Sequence, residues 1–170
     1  TPRLGTMNLH TSLLPKYRGA SPIQTAIACG ERETGVTLMR IVRQLDAGPI
    51  ADVERVSTGP LESAADVEGK LAQGCLPLLT RSLPRLQAVT LVVTPQDETG
   101  ATFCRRVEKI DGHLDFARPA AELAALVRGC VPRSRRAARP PANRQRSSAH
   151  SPRRTGPSRN RRRPQPRRRQ

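Results

Sequence analysis

The stretch Asn8-Leu9-His10-Thr11-Ser12-Leu13-Leu14-Pro15-Lys16-Tyr17-Arg18-Gly19 decides how this chain is read. Leu45-Asp46-Ala47-Gly48 follows it. Asn8 and His10 are two apart, so on a strand they share one face. Pro15 and Gly19 punctuate a loop directly after them. A carboxamide N–H can donate to an oxygen gaining charge at a tetrahedral centre, and such a donor is typically worth ~2.7–4 kcal/mol. An imidazole can serve the same oxygen or move a proton, an effect of about 10²–10⁴ in rate. Asp46, after an apolar run and before a Gly-Pro turn, can accept from the imidazole, set its tautomer and raise its proton affinity. Each residue alone has a plainer reading: a turn Asn, a surface His, an Asx-turn acid. Together they form an acyl-transfer set.

Outward from this stretch, Leu4–Leu9 reads as a strand entering the motif, and residues 12–19 as a loop. Ser21-Pro22 marks a helix start, with Ser as N-cap and Pro at the first position. That helix carries Ile23, Ala26 and Ile27 inward and stops at Gly30. Residues 35–42 are apolar and β-branched and read as a strand; residues 50–57 read as a second, nearer an edge. From Ser63 a helical stripe of Val67, Leu71, Leu78, Leu79, Leu83 and Leu86 follows, which Gly74 and Pro77 are expected to break or kink. Residues 89–100 are a strand remnant and loop, and 101–111 have little pattern. Residues 120–128 form a short helix with Leu123, Leu126 and Val127 inward.

The 170 residues suffice for one domain. Charge is distributed unevenly. Residues 1–130 hold 15 Lys and Arg against 14 Asp and Glu, whereas residues 131–170 hold 15 Arg and no acid. That back segment has no Leu, Ile, Phe, Tyr or Met. It cannot bury enough apolar area to offset roughly 1–2 kcal/mol of backbone entropy per residue, so it is expected to be a disordered basic tail. Cys29, Cys75, Cys104 and Cys130 are widely spaced, with no C-x-x-C pair, which fits a reducing compartment and no metal site. No apolar run approaches the roughly 20 residues of a membrane span, and the first residues given do not show a basic n-region followed by an apolar h-region. A cytoplasmic location and no membrane partner are expected.

Residues 8–50 resemble the folate-dependent formyltransferases. The family pattern Asn-x-His-x-Ser-Leu-Leu-Pro, Arg-Gly, Leu-Asp-x-Gly stands here as Asn8, His10, Ser12-Leu13-Leu14-Pro15, Arg18-Gly19 and Leu45-Asp46-Ala47-Gly48. Within that family, the runs 18–24 and 33–39 are most similar to the branch acting on methionyl-tRNA. Residues 95–130 look like the family's inter-domain linker, notably 110–116 and 126–129. The resemblance implies transfer of a formyl group from 10-formyltetrahydrofolate to the amino group of methionine on initiator tRNA, in a monomer. It implies catalytic roles for Asn8, His10 and Asp46, with Asn8 and His10 on the oxyanion. It also implies that Ser12, Leu13, Leu14 and Pro15 contact the folate, their backbone bonding a heterocycle's edge while the leucines pack on its face. The glycine loops would let backbone approach that flat ligand.

The implied fold is α/β: the C-terminal half of a Rossmann-like catalytic domain over 1–94, a linker over 95–130 and the basic tail over 131–170. Its strands are expected to be parallel. Three departures from the family accompany this reading. The residues before the motif that build the first strands are missing. Pro49 stands where a polar residue is common and removes an N–H from the loop. Beyond Cys130, the Arg/Pro-rich run replaces a tRNA-gripping β-barrel, as a frameshifted GC-rich coding region would. Two further functions fit the residues. One is a non-catalytic basic nucleic-acid-binding fragment, unspecific for want of aromatic stacking groups. The other is a formyltransferase or hydrolase acting on another acceptor, a sugar amine or water.

Overall fold

A computed structural model describes residues 2–130, and the basic segment 131–170 lies outside the described residues. The expectations of tail disorder and of tail-borne nucleic-acid binding therefore fall outside it too. In chain order the elements are β1 (Met7–His10), β2 (Arg18–Gly19), α1 (Pro22–Ala28), β3 (Glu33–Arg40), β4 (Ile50–Ser57), α2 (Ala64–Gln87), β5 (Phe103–Cys104) and α3 (Ala120–Cys130). Short 3₁₀ turns occupy Glu98–Gly100 and Lys109–Gly112.

Strand β3 is buried along its middle six residues and is the centre of a three-stranded sheet ordered β1-β3-β4. Both pairings are antiparallel, with Leu9 opposite Leu38 and Val36 opposite Glu54. The parallel arrangement expected from the motif is thus not what β1, β3 and β4 adopt among the described residues. The only parallel ladder in this part of the chain is the two-residue pair of β2 with β5.

The strand ends also differ from the sequence reading. Gly5, at φ 79°, closes a turn back to Pro2, so β1 starts at Met7 and not at Leu4. β3 ends at Arg40, where its pairing with Met7 stops, leaving Ile41 and Val42 exposed.

Helices α1 and α2 cover the sheet. Ile23 and Ile27 of α1 join Ala64, Val67, Leu71 and Leu78 of α2 over Val36 and Leu38, with Met7 and Leu9 packed against them. This apolar burial is the main cohesive term, at about 25 cal/mol per Å². α1 ends in a Schellman motif: Gly30, at φ 75°, donates to Ile27 O, and Glu31 N–H to Ala26 O. Its start differs from expectation, because Ser21 makes no side-chain cap and its hydroxyl accepts from Val107 N–H at 3.1 Å instead.

α2 opens with a capping box between Ser63 and Asp66. It then runs unbroken to Gln87 through Gly74, Pro77 and Pro84. Both prolines, and Gln73 and Thr80 four residues before them, lie on the exposed side. There, water can serve the carbonyls that the prolines leave without an N–H, and the expected break does not occur. Leu83 is exposed, not inward.

α3 buries Ala125 and Gly129, while Val127 is exposed. A Cβ added at Gly129 would stand 2.6 Å from Gln24 O and 2.8 Å from Ala28 Cβ. Small residues bring α3 onto the backbone of α1, so backbone proximity and not a leucine stripe sets its inward face. Together with the β2–β5 pair, this folds residues 95–130 back onto the sheet unit, and the described residues lie within one compact body.

Candidate functional site

The last residue of β1 is His10, buried opposite Thr37. Met7 and Leu9 pack against the apolar core, so alternation turns Asn8 and His10 to the other face. The Nε2 of His10 lies 3.0 Å from the carbonyl of Tyr17. A carbonyl only accepts, so this bond requires Nε2–H and leaves Nδ1 as the open nitrogen of a neutral ring. Tyr17 has φ 59°, and its carbonyl also accepts from the Cys104 thiol at 3.4 Å. Burial pushes the Cys104 thiol up, so it remains the neutral donor.

Nδ1 faces Asp46 Oδ2 at 3.7 Å. That spacing is too long for a direct hydrogen bond but is an ion-pair distance when the ring is protonated. The same Oδ2 accepts from Gly19 N–H at 2.8 Å. Asp46 sits at φ 47°, a left-handed conformation that Asp tolerates better than most residues. The structure therefore brings His10 and Asp46 together across 36 residues of sequence. It assigns the choice of tautomer to Tyr17 O rather than to Asp46. It also commits the Nε2–H that an oxyanion role for His10 would use.

Asn8 is half-buried on the same strand, roughly 7 Å along from His10. It lines a cleft of about 350 Å³ with Leu9, Leu38, Leu79, Leu83 and Leu86. Neither His10 nor Asp46 lines that cleft.

The Ser12–Pro15 segment turns largely inward. Ser12 and Leu14 are buried. The Ser12 hydroxyl donates to Lys16 O at 2.6 Å. Thr37 Oγ1 donates to Ser12 O at 2.6 Å and accepts from Leu14 N–H at 3.2 Å. Leu13 O and Pro15 O accept from Lys16 and Thr102 N–H. Most of the segment's polar backbone is thus spent on the fold. Leu13 and Pro15 stay half-exposed and line a separate cleft of about 380 Å³ with Tyr17 and Gly100. The motif glycines likewise approach the chain's own backbone: a Cβ at Gly19 would run into Cys104 O, and one at Gly48 into Arg40 O. Pro49, which lacks an N–H, closes its loop through its carbonyl, accepting from Arg40 N–H at 3.0 Å.

Sequence reasoning missed Arg18, Gln96 and Glu98. Arg18 is only 3% exposed. Its guanidinium donates to both carboxylate oxygens of Glu98, at 2.8 and 2.9 Å, and to Gln96 Oε1 at 2.7 and 3.1 Å. Hydrogen bonding to Glu98 holds the guanidinium more firmly charged. Gln96 Nε2 donates to Asp46 O at 2.8 Å and to Gly48 O at 2.7 Å. No local pattern marks Gln96, which lies 50 residues after Asp46. The one available signal was the Arg18-Gly19 pair, which the motif pattern itself contains.

Comparison with known proteins agrees with this architecture. Residues 1–81 match the family model described as formyl transferase. A methionyl-tRNA formyltransferase of Parvibaculum lavamentivorans is 44% identical over 131 residues, covering 77% of this chain and 42% of that protein. The Nitratidesulfovibrio vulgaris protein of the same name is 43% identical over 129 residues, covering 76% and 39%. The chain thus spans about two fifths of the length of these curated relatives. Among solved structures, an N-formyltransferase from Helicobacter canadensis, in complex with folinic acid and dTDP-3-aminofucose, superposes with a TM-score of 0.69 at 26% identity, covering 72% of this chain and 46% of that one. HypX from Aquifex aeolicus, in complex with tetrahydrofolic acid, gives 0.65 at 20% identity, over 75% and 22%, a likeness of fold alone. Residues 1–81 thus match the formyl transferase family by sequence, and the described part of the chain shares the fold of a solved N-formyltransferase.

Proposed function

We propose that this chain carries the His–Asp half of a methionyl-tRNA formyltransferase catalytic site, serving translation initiation in the cytoplasm as a monomer. The observation that carries the reading is the buried His10 Nδ1 facing the Asp46 carboxylate at 3.7 Å, on the strand face that also carries Asn8. Identities of 38–44% to enzymes named methionyl-tRNA formyltransferase favour initiator methionyl-tRNA as acceptor over the amino sugar of the 26% identical neighbour. No helix among the described residues is long and apolar enough to cross a membrane.

The donor would be 10-formyltetrahydrofolate, which supplies an activated formyl carbon. Leu13 and Pro15, half-exposed over buried Ser12 and Leu14, would meet a flat ring in a cleft whose volume suits a small molecule. Asn8 would donate to the formyl oxygen as it gains charge. His10 would take a proton at Nδ1, the nitrogen that Tyr17 leaves open, and Asp46 would stabilise the resulting imidazolium. In balance, the methionine nitrogen bonds the formyl carbon, the bond to the folate nitrogen breaks, and the amine proton passes to that nitrogen.

A chimera tests this reading. Residues 1–130 replace the matching segment of the Parvibaculum enzyme, and formylation of methionyl-tRNA is measured beside a nucleotide-linked amino sugar. We expect formyl-methionyl-tRNA to form. His10→Ala and Asp46→Asn should each lower kcat by about 10²–10⁴, the usual range for lost proton management. A folded chimera that formylates only the sugar, or that ignores both substitutions, rejects the proposal.

A further inference from the structure

The Asp46 loop is gripped from its backbone side by a side chain that the reaction above does not use. Gln96 donates both its N–H bonds into this loop, to the carbonyls of Asp46 and Gly48, at 2.8 and 2.7 Å. Its Oε1 accepts twice from Arg18, at 2.7 and 3.1 Å. Every hydrogen-bonding position of this half-buried amide is therefore used. Arg18 is almost wholly buried and is itself locked by Glu98 through two bonds. Its neighbour Gly19 supplies the N–H that holds the Asp46 carboxylate. The dipeptide Arg18-Gly19 thus controls one loop twice: through Gln96 at its carbonyls, and directly at its carboxylate. The loop needs such restraint, since Asp46 occupies a left-handed conformation that most residues avoid.

We propose that Gln96, oriented by Arg18, is a positioning residue that fixes the Asp46 loop so that the carboxylate faces His10. The proposal rests on the site reading given above but not on turnover. Amide orientation makes it specific. Arg18 fixes Oε1 toward itself and so aims Nε2 at the two carbonyls; a carboxylate in place of the amide would strengthen the contact with Arg18 but turn an acceptor toward two acceptors. Gln96→Glu therefore separates a clamp on the Asp46 loop from a simple anchor for Arg18.

Amide hydrogen exchange by NMR on the full 170-residue chain reads the outcome at Gly19, whose N–H reports the Asp46 carboxylate. In Gln96→Met we expect exchange at Gly19 to quicken about tenfold or more, with β3 and α2 unchanged, as a local opening does. Gln96→Glu should quicken it as well. Unchanged exchange at Gly19 in Gln96→Met overturns the proposal. So does a Gln96→Glu protein as protected as the parent, which would leave Gln96 as an anchor for Arg18 alone. Uniform acceleration across β3 and α2 overturns it too, by making Gln96 a determinant of global stability. The measurement needs no folate and no tRNA, so a failed chimera assay and a failed clamp remain distinguishable.

Discussion

At the scale of single residues, Thr37 holds the motif from outside it. It is fully buried on β3, and its hydroxyl joins Ser12 O to Leu14 N–H, fastening the Ser-Leu-Leu-Pro loop to the central strand. Thr37→Val keeps the shape and removes both bonds, leaving a buried N–H and a buried carbonyl. We expect a loss of about 1–3 kcal/mol in urea unfolding, the usual cost of orphaned buried groups. Thr37→Ser should retain most of the stability. A valine variant within 0.5 kcal/mol of the parent, about the spread of neutral surface changes, would mean that water replaces the hydroxyl. His10 shows a similar dependence on context. Its tautomer is set by the carbonyl of a left-handed tyrosine seven residues on, a partner that the side-chain pattern of the motif does not reveal.

At the scale of elements, two helical glycines make a controlled pair. Gly69 lies inside α2, and nothing stands within 4 Å of a Cβ added there. Gly69→Ala should therefore gain up to about 1 kcal/mol from helix propensity alone. Gly129 lies in α3 against Gln24 O and Ala28, with 2.6 and 2.8 Å left for a methyl. Gly129→Ala has the same propensity gain but must push α3 off α1. We expect its Tm to fall while that of Gly69→Ala rises, and α3 to become the first site of limited proteolysis. If Gly129→Ala is as stable as the parent, the close approach of α3 is not what holds residues 95–130 on the sheet.

At the scale of the whole described unit, ion pairs tie together segments far apart in sequence, and this gives a pH dependence. Burial pushes the Asp52 carboxyl up, but hydrogen bonds from Arg81, Val53 N–H and Ser82 outweigh it and hold Asp52 below its ordinary 3.8. The Tyr17 hydroxyl, then Lys16, holds Glu31 below its ordinary 4.5. A carboxylate depressed in the folded state binds fewer protons there than when unfolded. Its contribution is therefore present above about pH 4.5 and lost as pH falls through the depressed values. Tm measured downward from pH 6 should hold and then drop below that point. Arg81→Ala, which releases Asp52 and Glu54 of β4 from α2, should lower the plateau and shallow the drop. An unchanged acid limb in Arg81→Ala would show that these pairs are too exposed to matter.

The sequence by itself determined the parts that local chemistry controls. The apolar, β-branched run of β3, the helix start at Ser63, the Gly30 stop and the inward face of α1 follow from local pattern and turn chemistry, and the structure has them. The pairing of His10 with Asp46 was legible because two motifs in fixed order point at one reaction. What only the tertiary structure decided are the matters of partnership. Strand direction depends on which neighbour each strand finds, and here β3 pairs antiparallel on both edges. The survival of α2 through two prolines depends on which side faces water. The folding back of residues 95–130 depends on a glycine meeting a distant backbone, and the Arg18–Gln96 grip on the Asp46 loop on hydrogen bonds that span 78 residues. Periodicity records the local preference of a segment, whereas these features are set by contacts that exist only once remote segments share the same space.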